Sequence, residues 1–454
     1  MRKTKVTQPS LFDQAIHEVI KLIQPEKALK IMDKILEKNP EILQRVHSDL
    51  VDQKTNTGSQ GISAERVLRC AILKVYKRLS YRELARRLND GVVFRWFSRF
   101  LSDPIPHYTT LQKSITHIKP HTWFRINEVL VAYSKNEQLE NGHMLRVDTT
   151  VTETNIAYPL DCRLLNDSVR VLTRLMVQIK EQIPELNFSF ADRTRRAKKR
   201  CYQIVMAKGR KAKRQRAKCY RDLIRVANEV FELGSACCEQ LSNSKNFMAV
   251  PFYEQLDHYL TLSAVAIEQC ERRVLRGEKV PASEKIVSLF EEHTDIIKRG
   301  KTQSPTEFGH KILVASGKSG LITQYQCFRG NPSDSDMLAE VIRQHKEQYV
   351  FAPRALAGDR RFFSSDNEEF AYEAGVNKVS ICKPGYRSAQ RKQIEKRRWF
   401  KKLQRYRAGI EGLISCLMRA YGLKRCLWKG WEAFQSYVGL SVVTFNLQKI
   451  AMLT

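Results

Sequence analysis

MLRVDTT, residues 144–150, is the stretch on which the fold turns. Leu145, Arg146 and Val147 alternate apolar and charged, the two-residue period of a short strand. Asp148 stands at or near the end of that strand, followed by two hydroxyl residues. A carboxylate there is costly to cover unless a cation pairs with it. Taken alone it reads as a surface Asp at a strand-to-turn junction. Two features further along change that reading. ALAGD (355–359) is another short apolar run that ends on a carboxylate, Asp359. In YRAGIEGLISCLMRAYGL (406–423), Ile410, Leu413, Ile414 and Leu417 form one apolar helix stripe, with Arg407 and Glu411 as i,i+4 neighbours beside it.

Two strand carboxylates and one helix carboxylate can converge on divalent cations. Their oxygens are hard ligands that suit Mg2+ or Mn2+. Two such ions, about 4 Å apart, activate a nucleophile on one side of phosphorus and stabilise the leaving oxygen on the other. A surface ion pair between Arg407 and Glu411 fits the same spacing. No His or Cys constellation competes. The eleven cysteines are scattered without a CxxC pair, as expected of reduced thiols rather than a zinc site.

At 454 residues the chain is long enough for roughly three domains, or fewer with a large insertion. Its 78 Lys and Arg against 48 Asp and Glu leave a net charge of +30, which favours a polyanionic partner. No apolar run reaches the length of a membrane span, and the basic N-terminus lacks an apolar segment after it. A soluble, cytoplasmic, nucleoid-associated protein is expected, with nucleic acid preferred to a membrane surface because the basic runs lack an apolar face beside them.

Two segments concentrate the charge. Residues 191–221 hold fourteen Lys or Arg and one acid, Asp192; Arg195, Arg196, Lys198, Lys199, Arg200, Lys211, Lys213 and Arg214 belong to this run. Residues 383–408 hold eleven and one acid, Glu395, with Tyr386, Trp399, Phe400 and Tyr406 interleaved; Arg397, Arg398, Lys401 and Lys402 lie here. Aromatics among cations suit nucleic acid. Both runs are expected to bind phosphate without reading sequence, the alternative being solvated faces.

Taken in order, residues 11–52 read as short amphipathic helices, and DQKTNTGSQG (52–61) as a polar linker. Ser80 and Glu83 form a capping box ahead of YRELARRL, Asn89-Asp90-Gly91 stops that helix, and VVFRWFSRF follows with Arg95 and Arg99 one turn apart. Helix, tight turn and helix over residues 63–101 are consistent with a DNA-reading helix-turn-helix, and equally with an ordinary bundle. A helix is expected over Thr122–Lys135. A helical block over 163–300 interrupts two β-rich segments and reads as an insertion. Strand signals return in HKILVAS (310–316) and LITQYQCFRG (321–330), joined by GKSG. Neither this loop nor Gly300-Lys301-Thr302 is a phosphate loop, because Ile312 and Asp295 stand where the earlier glycine is required. Both read as turn chemistry.

VDTTVTETNIAYPLDCRLLNDSVRVLTRLM (147–176), EFGHKILVASGKSGLITQYQCFRGNPSDSDML (307–338), LAGDRRFFS (356–364) and YRAGIEGLISCLMRAYGLKRCLWKGWEAF (406–434) resemble DDE transposases of bacterial insertion sequences, nearest to the ISNCY-type group. GISAERVLRCAILKVYKRLSYRELARRLND (61–90) and PIPHYTTLQKSI (104–115) resemble that family's N-terminal helical region. The resemblance implies an α/β chain with a ribonuclease H-like mixed sheet flanked by helices. An all-α, DNA-binding domain would span 1–140, the catalytic core 141–162 and 301–454, and a basic helical insertion 163–300. It implies a triad of Asp148, Asp359 and Glu411 around two Mg2+ or Mn2+ ions, with gaps of 359 − 148 = 211 and 411 − 359 = 52 positions. The partners implied are double-stranded DNA, both transposon ends and target, and a second copy of the chain in a homodimer. Hydrolysis at the ends followed by strand transfer is the implied chemistry. An end-binding repressor without catalysis, or a two-metal nuclease without joining, are the rival readings. Many relatives carry a Tyr three before the Arg and a Lys seven after the Glu; here those positions are Gln404 and Met418. Lys424, Arg425 or the basic linker would then supply the missing charge, and Arg407 would orient phosphate or the carboxylates.

Overall fold

The computed structural model describes residues 2–5, 11–51, 61–298 and 306–454. Residues 52–60 of the polar linker and the Gly300-Lys301-Thr302 turn lie outside the described residues. The chain divides into two compact units, Met1–Thr154 with His310–Thr454, and Asn155–Gly309.

The first unit opens with helices α1 (Leu11–Ile23), α2 (Lys27–Lys38), α3 (Glu41–Leu50), α4 (Ala64–Tyr76), α5 (Tyr81–Asp90), α6 (Val92–Ser98), α7 (Tyr108–Thr116) and α8 (Pro120–Asn136), then strand β1 (Met144–Glu153). Ser80 and Glu83 form the capping box that starts α5. The second unit holds α9 (Asp161–Gln182), α10 (Thr194–Met206), α11 (Ala212–Ser242) and α12 (Ala249–Cys270), packed around their own core of Leu165, Leu172, Leu223, Val230 and Leu256. It also contains a strand that the expected all-helical insertion did not include, β2 (Asp295–Lys298), paired with the first residues of β3 (Thr306–Ser316). Four residues are too short a run for periodicity to declare a strand. The first unit resumes within β3 and continues through β4 (Ile322–Phe328), α13 (Leu338–Tyr349), β5 (Ala355–Gly358), α14 (Ser365–Glu373), β6 (Lys378–Ile381), α15 (Ala389–Lys396), α16 (Arg398–Ala420) and α17 (Trp431–Leu453).

The sheet runs β2-β3-β1-β5-β6, with β4 also on β3. The pairs β1–β5 and β5–β6 are parallel, β2–β3 and β3–β4 antiparallel, so the sheet is mixed and the chain is α/β. Parallel neighbours need a crossover, and α14 supplies the one between β5 and β6. The β3–β4 hairpin turns through the GKSG loop. Gly320 has φ +85°, and a Cβ at Gly317 would lie 2.2 Å from the Glu140 carboxylate. That carboxylate accepts bonds from Ser319, and an acid at the mouth of the loop suits turn closure rather than phosphate.

Two cores lie in the first unit. Leu145, Val147, Leu313, Leu356 and Val379 point to one side, beneath Leu338 and Ile342 of α13 and Ala371 of α14. On the other side Ile312, Val314 and Ile322 join α16, α17 and the N-terminal helices in a single core. Helix α17 is buried nearly all round, from Phe434 to Ala451. Its Asn446 donates to the carbonyl of Ile322 (2.8 Å) and to Asn127 of α8 (2.7 Å), so that its polar amide is satisfied inside that core. The first eight helices and the sheet therefore share apolar packing.

Candidate active site

Strand β1 continues five residues beyond Asp148, to Glu153, so this carboxylate lies within the strand rather than at its end. What ends there is its neighbour. The register of β1 on β5 runs from Met144 opposite Ala355 to Val147 opposite Gly358. The next residues in each chain are Asp148 and Asp359. Asp359 leaves the sheet into a single helical turn, Arg360–Phe362, anchored by the buried Phe362. Opening the sheet at this point creates room above two adjacent carboxylates, the ordinary place for a site in parallel strands.

Helix α16 covers that opening. Phe400, Leu403, Ile410, Leu413 and Leu417 are its buried stripe, and it packs across β1, β5 and β6. The flank of the stripe presents Arg407 and Glu411. Arg407 Nη2 lies 2.9 Å from Glu411 Oε1, and Nη1 lies 3.6 Å from Asp148 Oδ2. The Asp148 and Arg407 side chains are only 17% and 18% exposed, while Glu411 is 64% exposed. Arg407 Nε is buried and has no hydrogen-bond partner.

The Asp148 carboxyl is pushed up from 3.8 to about 6. Burial is the largest cause, and the negative charges of Asp359 and Glu411 add to it. The Thr149 amide, donating to Oδ1 at 2.8 Å, and the Arg407 charge oppose the shift without cancelling it. Asp359 and Glu411 thus both act on the Asp148 carboxyl, and Arg407 is the cation that faces it. Among the described residues no group of three or more His, Cys, Asp or Glu side chains is already arranged to hold a metal ion. Glu411 is turned to Arg407 instead. The donor set fits a hard divalent cation in chemistry and in charge, provided that Glu411 exchanges its arginine for the ion.

Two family models match the chain. A transposase domain (DUF772) covers residues 17–117, and a transposase DDE domain covers 290–447. The chain belongs to the DDE transposases of insertion sequences. Neither curated proteins nor solved structures offer a match.

The transposase uses its two departures from the family pattern structurally. Gln404 donates to the Ser380 carbonyl at 2.7 Å, tying α16 to β6. Met418 is half-buried against the apolar core, where an ammonium would be desolvated. Lys424 is exposed, and Arg425 bonds the Thr154 carbonyl (3.3 Å).

Arg95 and Arg99 gain no support as DNA contacts of the transposase. Arg95 donates to the carbonyls of Leu101 and Asp103 at 2.7 and 3.0 Å, and Arg99 pairs with Asp33 and Glu37 at 2.5 and 2.7 Å. Helix α5 exposes Arg82, Arg86 and Arg87 opposite its buried Leu84 and Leu88. The four-residue spacing of Arg82 and Arg86, with Arg87 beside them, was the available signal. In the second unit Arg195, Lys198, Lys199, Lys211, Lys213 and Arg214 are exposed, while Arg196 and Arg200 both hold Asp222. Those hydrogen bonds, Arg196 first, keep the Asp222 carboxyl well below the usual range. Arg397, Arg398, Lys401 and Lys402 are exposed around the start of α16.

Proposed function

We propose that this transposase binds double-stranded DNA at the ends of its element, cleaves it with divalent metal ions and joins the freed ends to target DNA, on a ribonuclease H-like core. The observation that carries the reading is that Asp148 and Asp359 follow the last paired residues of neighbouring parallel strands, while Arg407 of the overlying helix faces Asp148 and pairs with Glu411. The strand order β4-β3-β1-β5-β6, parallel from β1 onward, supports that core.

Asp148 and Asp359 would hold the ions, with Glu411 joining them from the helix. When bound, Mg2+ or Mn2+ supplies Lewis-acid charge at phosphorus and a water acidified toward neutral pH. Glu411 is exposed enough to turn without disturbing the core. Arg407, released from it, meets a phosphate oxygen with the Nε–H that has no partner within the protein. Exposed cations on α10, α11 and α16 neutralise backbone phosphates without reading sequence. Arg86 and Arg87 of α5, beside an Arg82 that bonds Tyr108, give the N-terminal region an exposed basic face for the element's ends.

The test uses the full chain with pre-cleaved terminal DNA and a supercoiled target in Mg2+. Joined product is expected from the wild type, and none from Asp148→Asn or Asp359→Asn. Nicking without joining makes the protein a two-metal nuclease. Specific end binding with neither makes it a repressor.

A further inference from the structure

Asp148 and Glu411 come from different elements, so their separation depends on how α16 is held against β1. Arg146 stands two residues before Asp148 on the same strand, hence on the same face of the sheet. It is 9% exposed. Its Nε donates to Ser316 Oγ at 2.7 Å, at the end of β3, and its Nη1 donates to the Tyr406 carbonyl of α16 at 2.9 Å. The guanidinium also lies over the Tyr406 ring, 4.8 Å from its centroid. Tyr406 Oη completes the triangle by donating to the Ser316 carbonyl at 3.3 Å. One buried cation therefore joins two strands to the residue that precedes Arg407.

The helix shows the imprint of this contact. Residue 409 is glycine, in a helix interior where glycine is disfavoured. A Cβ there would stand 2.4 Å from Arg146 Nη1. A side chain at 409 would have to displace the end of the guanidinium from where Ser316 and Tyr406 hold it.

We infer that Arg146, seated against Gly409, is a positioning residue that sets the height of α16 over β1 and with it the spacing of Glu411 from Asp148. This rests on the carboxylate reading given above. Arg146 touches neither metal nor DNA; it acts through the helix.

The test compares full-length wild type, Arg146→Met, Arg146→Lys, Gly409→Ala and the Arg146→Met/Gly409→Ala double variant, with Asp148→Asn as control. Three quantities are read: the Mn2+ binding midpoint without DNA, the dissociation constant for terminal DNA, and the nicking rate per folded molecule. Arg146→Met is expected to raise the Mn2+ midpoint at least about tenfold and to slow nicking about a hundredfold, the penalty of a misplacement near 1 Å. Affinity for terminal DNA stays within about threefold, since phosphate contacts elsewhere carry it. Arg146→Lys, which keeps the charge but lacks the planar fork, falls between. Gly409→Ala favours the isolated helix, yet is expected to weaken Mn2+ binding when Arg146 is present and to change nothing in the Arg146→Met background. Should Arg146→Met fail to fold, Gly409→Ala and Arg146→Lys decide the matter.

A role in stability alone would lower the unfolding midpoint and leave the Mn2+ midpoint and the rate per folded molecule at wild-type values. That result overturns the inference. If Asp148→Asn abolishes Mn2+ binding and nicking while the Arg146 and Gly409 variants keep both, the positioning role alone falls. If Asp148→Asn binds Mn2+ and nicks as wild type does, the carboxylate reading falls and takes the positioning role with it.

Discussion

Two regions of the first unit set arginine among carboxylates, and they differ in balance. In the N-terminal helices Arg69 and Arg99 meet Asp33 and Glu65, with Glu37 at the rim. Arg69 lies 2.5 Å from Asp33 and 3.0 Å from Glu65, and Arg99 lies 2.5 Å from Asp33. Arg69 is 1% exposed. Asp33 and Glu65 each have a guanidinium. Over the sheet, one guanidinium serves Asp148 and Glu411 while Asp359 adds a further negative charge, and Arg407 Nε lacks a partner. The first arrangement is complete as it stands and holds helices together. The second leaves the buried Asp148 with a guanidinium at 3.6 Å that it shares with Glu411. Charge balance, rather than the presence of an arginine among acids, separates a structural network from the proposed cation site.

The sharpest way to break this contrast is to remove Arg69. Arg69→Met leaves Arg99 alone to serve the buried Asp33 and Glu65 and is expected to destabilise the protein by about 4 kcal/mol, read from urea unfolding. A loss under about 1 kcal/mol would mean the network is not the structural one.

Asp148→Asn should move stability the other way. The folded protein holds the Asp148 proton more tightly than the unfolded chain, with the acid at about 6 against 3.8. The charged form therefore penalises the fold above about pH 6, and the penalty fades as pH falls toward the unfolded value. The variant is expected to be more stable by up to about 3 kcal/mol near pH 8, with the gain gone near pH 4. A gain that does not change with pH would remove the electrostatic explanation. The smallest effect is that of Glu411→Gln without metal. Its side chain is mostly exposed, so stability should stay within about 0.5 kcal/mol of wild type.

The parts of this organisation that are local were legible in the sequence. Alternation marked β1, glycines marked the β3–β4 turn, and the stripe of α16 put Arg407 and Glu411 on its flank. Those signals lie within a few residues of each other. Relationships across the chain were not legible. Arg99 looked free because its acid, Asp33, lies in another helix. Arg146 read only as the charged member of an alternating strand, because Ser316 and Tyr406 reach it only after folding. Asp148 looked terminal because sequence does not show that β5 stops at Gly358 while β1 runs on. Helix α17 carried no one-sided stripe, since it is buried on nearly all sides.

Mn2+ titration of the DNA-free protein, followed by the spin signal of unbound ion, addresses the shared cation site with least intervening assumption. Wild type should take up Mn2+, and Asp148→Asn, Asp359→Asn and Glu411→Gln should each weaken uptake by at least about tenfold, roughly 1.4 kcal/mol. Wild-type affinity in any of the three would remove that carboxylate from the site, and wild-type affinity in all of them would contradict the account.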